Sequence, residues 1–231
     1  MSNNQETKET WIEQFCKQKG NEFFCEVEES FINDSFNLTG ISSMVGNNFR
    51  DALRKIKGQQ TKKELDQEQK IAFDKDTIIL YGLIHARYII TSRGLDAMAE
   101  KFRNGEFGKC PNFFCKNQPC LPVGLSEKPG QDQLKLFCPK CQDIYYPKLR
   151  RHTKIDGAYF GPTFAHLLLF SNSDLNPNQI EQKYIPKIFG FAIHPSAKNS
   201  IRKRHKRSQN RNNQNKKNNE EKEVKNNEEK K

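Results

Sequence analysis

The chain has 231 residues, 34% hydrophobic and 29% charged, with a formal net charge of +11. That composition is globular but polar, and no apolar run approaches the length of a membrane span. Residues 196–231 hold thirteen Lys or Arg against five Asp or Glu and almost nothing apolar, so eight of the eleven surplus charges belong to a tail expected to be disordered. The remaining +3 excludes reading the basic balance as a property of the fold, or as proof of nucleic-acid binding.

The first hundred residues read as helical. Thr10 followed by Glu13 is a capping box, with Trp11, Ile12, Phe15 and Cys16 on one face before Gly20 stops the turn. A second short helix is expected near Glu28 to Asp34. A third spans about Asn47 to Lys57, with Phe49, Ala52, Leu53 and Ile56 on its buried side. Gly58 to Lys70, rich in Gln and charge, reads as a solvated connector. The longest helix is expected from about Asp74 to Thr91, where Ile78, Ile79, Gly82, Leu83, Ala86, Ile89 and Ile90 recur every three to four residues. Ser92-Arg93-Gly94 is expected to break it, and Leu95, Met98, Ala99 and Phe102 mark one more helix ending before Gly105. Cys16, Cys25 and His85 read as packing residues, because no third group is evident to orient a Cys/His catalytic pair.

Two cysteine pairs follow, Cys110-x4-Cys115 and Cys138-x2-Cys141, with 22 residues between them. Each pair reaches one ion from a tight turn, and the intervening length suffices for a hairpin that unites the turns. This is the spacing of a structural zinc ribbon, with one Zn2+ per chain. Four thiolates close a tetrahedron and leave no position for water, so the metal holds shape. Disulfides are the alternative. They need an oxidising compartment, and Met1 to Glu6 lack the basic-then-apolar pattern of a signal peptide. For the same reason the Asn-x-Ser/Thr matches at Asn33 and Asn37 read as incidental. Cys120 is expected to be a buried, apolar-like residue outside a complete ligand set.

Strand-like runs near Leu134 to Phe137 and Ile144 to Tyr146 bracket the second pair. So small a unit cannot enclose Phe113, Phe114, Leu121, Val123, Leu136, Phe137, Ile144, Tyr145 and Tyr146 by itself. Some must pack on the helical part or on a second copy of the chain. A turn at Gly157 to Pro162 leads into a short helix, Thr163 to Phe170. Tyr184 to Pro195 then reads as a hairpin bent at Gly190, with Phe189 and Phe191 flanking the bend. These aromatics either anchor a partner or fold back on their own chain. The fold class is thus α+β: a helical domain (1–104), a zinc ribbon (105–162), a helix and hairpin (163–195) and a basic tail (196–231).

No phosphate-binding glycine loop, nucleophile elbow, His-Glu-x-x-His, His-Arg-Asp or Asp-Phe-Gly element occurs, so the chain reads as non-enzymatic. A redox role for Cys138-x-x-Cys141 is weaker than its metal role beside Cys110 and Cys115.

Several stretches together resemble the regulatory beta subunit family of casein kinase II. They are Gly20 to Val27 (GNEFFCEV), Phe36 to Gly40 (FNLTG), Leu80 to Tyr88 (LYGLIHARY), both cysteine pairs, Asp156 to Gly161 (DGAYFG), and Gly190-Phe191 through His194-Pro195. The resemblance covers roughly four fifths of the chain and rests on motifs rather than on a widespread fold. It implies a zinc-ligand set of Cys110, Cys115, Cys138 and Cys141 and a homodimer formed through the zinc modules. It also implies two catalytic alpha subunits docked mainly on the C-terminal hairpins through Phe189, Gly190, Phe191 and His194. The family often has tyrosine where Phe189 stands. The implied role is a non-catalytic regulator that stabilises the kinase and modulates its choice of protein substrates, in cytoplasm and nucleus.

Three departures bear on that expectation. Ser2, the candidate phosphorylation site, has Gln5 three residues on and its first acidic residue only at Glu6. The segment aligned with the family's acidic, polyamine-receiving loop, Lys57 to Lys70, has four Lys against three Asp or Glu, leaving Glu26, Glu28 and Glu29 as nearby acidity. The tail beyond Pro195 has no counterpart, and its Arg202 to Arg207 run fits nuclear import, nonspecific nucleic-acid contact or plain solubilisation. The alternative to the regulatory reading is a zinc-ribbon nucleic-acid-binding protein using that tail.

Overall fold

The computed structural model describes residues 9–59, 66–178, 185, 187–194 and 196. Ser2, most of the tail beyond Pro195, and the centre of the 58–70 connector lie outside the described residues. The chain divides into two compact units, Met1–Glu181 and Gln182–Lys231.

In the first unit, α1 (Trp11–Lys17) begins with the expected capping box: the Thr10 hydroxyl accepts from Glu13 N–H, and the Glu13 carboxylate accepts from Thr10 N–H at 2.8 Å. Short helices α2 (Glu29–Asn33) and α3 (Ser42–Val45) lead to α4 (Phe49–Ile56), which buries Ala52 and Ile56. The longest helix, α5, spans Gln67–Tyr88 and starts seven residues before the expected position. Its first turn, Gln67 to Lys70, is exposed and polar, so no apolar period marks it; the signal is the cap, the Asp66 carboxylate accepting from Gln69 N–H at 2.8 Å. The break expected at Ser92-Arg93-Gly94 falls just before it: those residues form the first turn of α6 (Ser92–Arg103), where the Thr91 hydroxyl accepts from Gly94 N–H, and the helix buries Leu95, Met98, Ala99 and Phe102.

Helix α5 is the axis of the core. Phe73, Thr77, Leu80, Ile84 and Tyr88 are buried at helical spacing, and Tyr81 and His85, one turn apart, are buried beside them. Around Tyr81 the rings of Phe15 and Trp11 stand 5.0 and 5.4 Å away in edge contacts, and Phe24 bridges to Phe160 at 5.3 Å. Gly82 lets the Gly157–Tyr159 turn press on the helix, since a Cβ there would fall 2.2 Å from the Tyr159 ring.

Three antiparallel strands form a small sheet in the order β1 (Leu121–Val123), β2 (Lys135–Phe137), β3 (Ile144–Tyr145), with Leu121 opposite Phe137 and Leu136 opposite Tyr145. The sequence pattern foresees β2 and β3 but not β1, whose Pro122 carries no amide hydrogen for a ladder and sits on the sheet edge. Helix α7 (Phe164–Ser171) packs on β1 and buries Phe164, Ala165 and Leu168, with His166 5.1 Å from the Phe137 ring. Leu121, Val123, Leu136 and Phe137 are thereby buried within the unit, whereas Phe113, Ile144 and Tyr146 stay exposed. No helix among the described residues is long and apolar enough to cross a membrane.

The second unit contains a two-stranded hairpin, β4 (Lys187–Ile188) and β5 (Phe191–Ala192), pairing Lys187 with Ala192 and Ile188 with Phe191. Both turn residues have positive φ, Phe189 at 50° and Gly190 at 86°. That is the two-residue turn whose twist suits a hairpin; glycine adopts it freely and phenylalanine at a cost.

Candidate functional site

The four predicted ligands converge. The sulfurs of Cys110, Cys115, Cys138 and Cys141 all lie within 4.8 Å of one another, and they are the one such group of potential metal ligands among the described residues. Cys110 Sγ and Cys141 Sγ are 3.8 Å apart, Cys115 Sγ and Cys138 Sγ 3.9 Å. Zinc–sulfur bonds of ~2.3 Å at tetrahedral angles separate two sulfurs by about 3.8 Å. The donor set therefore fits Zn2+ in element, number and spacing, and the centre is a structural Zn2+ site.

Local backbone geometry explains the convergence. After Cys115 the chain turns left-handed at Lys116 (φ 53°) and Asn117 (φ 61°), and after Cys141 it does so at Gln142 (φ 57°). Each turn closes with hydrogen bonds: Gln142 N–H donates to Cys138 O at 2.8 Å, and Cys110 N–H to Gln118 O at 2.8 Å. Outer contacts orient the sulfurs, Asn112 N–H at 3.4 Å from Cys110 Sγ and Tyr145 OH at 3.3 Å from Cys141 Sγ. Burial pushes the Cys110 thiol up to about 11 and Cys115 further, while the neighbouring Cys120 thiol holds Cys138 below the ordinary thiol range. Four thiols so close, three of them buried, cannot all ionise against one another, and a divalent cation at their centre removes that obstacle. Cys120 is buried beside Cys138 but outside the group of four.

One of the other cysteines, Cys25, meets a histidine, and the geometry shows why this is packing. His85 Nε2 accepts from Cys25 N–H at 3.2 Å, and Nδ1 lies 2.9 Å from Tyr159 O, which fixes the neutral tautomer with its proton on Nδ1. Cys25 Sγ is 3.5 Å from the same Nε2, whose lone pair the amide already uses. Burial holds His85 down to about 4 and Cys25 up to about 12, so proton transfer to an imidazolium–thiolate pair runs uphill. Tyr81 OH completes the arrangement, donating to Cys25 O at 2.9 Å. Two side chains one turn apart on α5 thus pin the Phe23–Val27 segment and, through Tyr159, the approach to α7. Sequence reading assigns His85 to packing but not this clamp, whose partners are 60 and 74 residues away.

The hairpin presents its aromatics openly. Phe189 is 96% and Phe191 79% exposed, and Ile188 beside them is exposed too. His194 Nδ1 sits 2.8 Å from the Ser196 hydroxyl.

Helices stapled to a closed tetrathiolate ribbon, with apolar side chains left outward on ribbon and hairpin, define a zinc-held scaffold protein that works through its surfaces. Comparison with known proteins narrows the class. The casein kinase II regulatory subunit family model matches residues 10–192, and the chain belongs to that family. Casein kinase II subunit beta of Dictyostelium discoideum is 53% identical over 194 residues, covering 84% of this chain and 72% of its own. Casein kinase II subunit beta' of Drosophila melanogaster is 46% identical over 192 residues (81% and 85%), and subunit beta of Schizosaccharomyces pombe 46% over 184 residues (80% and 79%). The chain is accordingly a non-catalytic, zinc-binding regulatory protein.

Proposed function

We propose that this chain pairs with a second copy through the exposed apolar side chains of its ribbon and holds two casein kinase II catalytic subunits on its C-terminal hairpins. Phe189, Gly190, Phe191 and His194 are the docking residues. The observation that carries the docking reading is the pair of exposed phenylalanines at the hairpin tip, Phe189 on the two-residue turn in a left-handed conformation and Phe191 at the start of β5. A protein leaves such rings in water at a cost in hydration free energy, which a partner groove recovers. For pairing, the corresponding observation is Phe113, 87% exposed, with Ile144 and Tyr146 on the same ribbon.

Regulation then acts by differential binding: contact with the active arrangement of the kinase favours it, and the added surface selects protein substrates. We assign the division of labour to residues 1–104, the ribbon 105–162, the docking segment 163–195 and the tail 196–231. Residence in cytoplasm and nucleus, with the tail's basic run as import signal, belongs to the same reading. Measuring the mass of the complex formed with a casein kinase II catalytic subunit tests it. Two copies of each chain are expected, and separate species at micromolar concentrations would refute it.

A further inference from the structure

A cavity of about 350 Å³ opens where the Phe23 segment and the Gly105–Lys109 turn meet the ribbon. Its walls include Phe23, Phe107, Leu136, Tyr145 and Leu149, and its volume lies at the lower end of the ~300–1,000 Å³ typical of ligand pockets. Neither the four ligand sulfurs nor the hairpin line it, while Tyr146 is shared with the surface proposed for pairing.

Charge is placed unevenly around this apolar space. Lys109 and Lys148 line the cavity, are exposed, and have no ion-pair partner among the described residues. Glu106 is the only acidic residue of the lining, and it is committed to Lys101. Other polar side chains of the wall are the Tyr145 and Tyr146 phenols, the Cys120 thiol and His152. His152, 94% buried, binds Glu22 Oε2 through Nε2 at 2.8 Å, while its Nδ1 has no hydrogen-bond partner among the described residues. That nitrogen is not sealed away, since no buried side-chain nitrogen or oxygen lacks a partner.

We infer that this cavity binds an amphipathic carboxylate, specifically an unbranched medium-chain fatty acid, with the acyl chain against Phe23, Phe107 and Leu136 and the carboxylate beside Lys148 and Lys109. The Phe23, Phe107, Leu136 and Leu149 side chains suit an apolar body, and the two unneutralised cations call for an anionic head. The occupant touches residues of both the helical part and the ribbon, including Tyr145, whose hydroxyl contacts Cys141 Sγ. Binding therefore stabilises the seam between them.

Calorimetric titration of the zinc-loaded full chain with sodium dodecanoate, below its micelle concentration, is the test, with dodecanol as the uncharged control. Saturation near one per chain is expected, with dodecanol at least tenfold weaker. Amide shifts in a ¹⁵N spectrum should concentrate at Gly108, Leu149 and His152. Lys148→Glu should weaken dodecanoate about tenfold and Leu149→Trp, which fills the mouth, should abolish it; Lys128→Glu, exposed and outside the lining, should change nothing. Zinc content and thermal melts establish that each variant is folded. Absence of saturable binding, equal binding of the alcohol, indifference to both lining variants, or dodecanoate binding only to chains that have lost their partner copy would each overturn the assignment. The last result would make the second copy the occupant.

Discussion

The Tyr159 ring occupies the space where a side chain on Gly82 would stand, 2.2 Å from a Cβ built there, while the Tyr159 carbonyl accepts a hydrogen bond from His85 Nδ1–H one turn along the same helix. Ring and carbonyl thus fix the Gly157–Tyr159 turn on α5 by contact and by hydrogen bond together.

Gly82→Ala is therefore expected to destabilise the protein although alanine favours helix by about 1 kcal/mol. Overpacking costs ~1–3 kcal/mol, and moving Tyr159 also stretches its bond to His85. A lower melting temperature is expected, with Gly82→Ala and His85→Asn combining less than additively because they disturb one contact. An unchanged melt for Gly82→Ala would disprove the close approach.

The His85 clamp makes stability depend on pH. Its folded-state pKa, about 4, lies below the ordinary 6.5, so the unfolded chain binds the extra proton between those values. Stability is complete above pH 6.5 and falls as pH drops from 6.5 to 4, by up to on the order of 3 kcal/mol. Glu22, held down to about 2 against burial by His152 and Arg151, adds a loss of the same sign below pH 4.5. Urea denaturation at pH 7, 6 and 5 should show this fall, and His85→Gln should flatten it over that window while lowering stability at pH 7. Parallel pH profiles would contradict the neutral assignment.

What the sequence revealed depended on whether a feature is local. The capping box at Thr10 and Glu13, the face of α4 and the cysteine spacing are set by neighbours within a few residues, and each appears where expected. The first turn of α5 is hidden because its residues are polar and exposed and so carry no apolar period, and β1 because Pro122 argues against a strand until an edge position is known. Glu22 paired with Arg151 and His152, like Tyr81 and His85 gripping the Cys25 backbone, joins residues more than fifty apart, and no single-chain pattern marks such pairs. The zinc ligands were legible and the outer contacts from Tyr145 and Asn112 were not, since only the fold brings them to the sulfurs.

Metal analysis should return one Zn2+ per chain, and Cys138→Ser should lose it. Structural zinc in small sites contributes on the order of 10 kcal/mol to folding. Chelation should therefore loosen the three-stranded sheet and with it the surface carrying Phe113, Ile144 and Tyr146, so the dimer mass is expected to fall to that of one chain. Cys120→Ser should leave zinc stoichiometry unchanged, because Cys120 stands outside the four converging sulfurs. Loss of zinc in that variant would show that Cys120 takes a ligand's place.

The hairpin allows ring contact and backbone strain to be separated. Phe189 holds a left-handed conformation, where asparagine before glycine is the favoured pair for this turn. Phe189→Asn should thus keep or tighten the hairpin while removing the ring, whereas Phe191→Ala removes a ring from β5 without touching the turn. If both rings seat in a groove of the catalytic subunit, each substitution should weaken the complex by about 2 kcal/mol, roughly thirtyfold, with most of the change in dissociation rate. Dissociation constants from surface plasmon resonance with immobilised catalytic subunit give the answer. Wild-type affinity in Phe189→Asn would mean that turn geometry, not the aromatic ring, carries the docking.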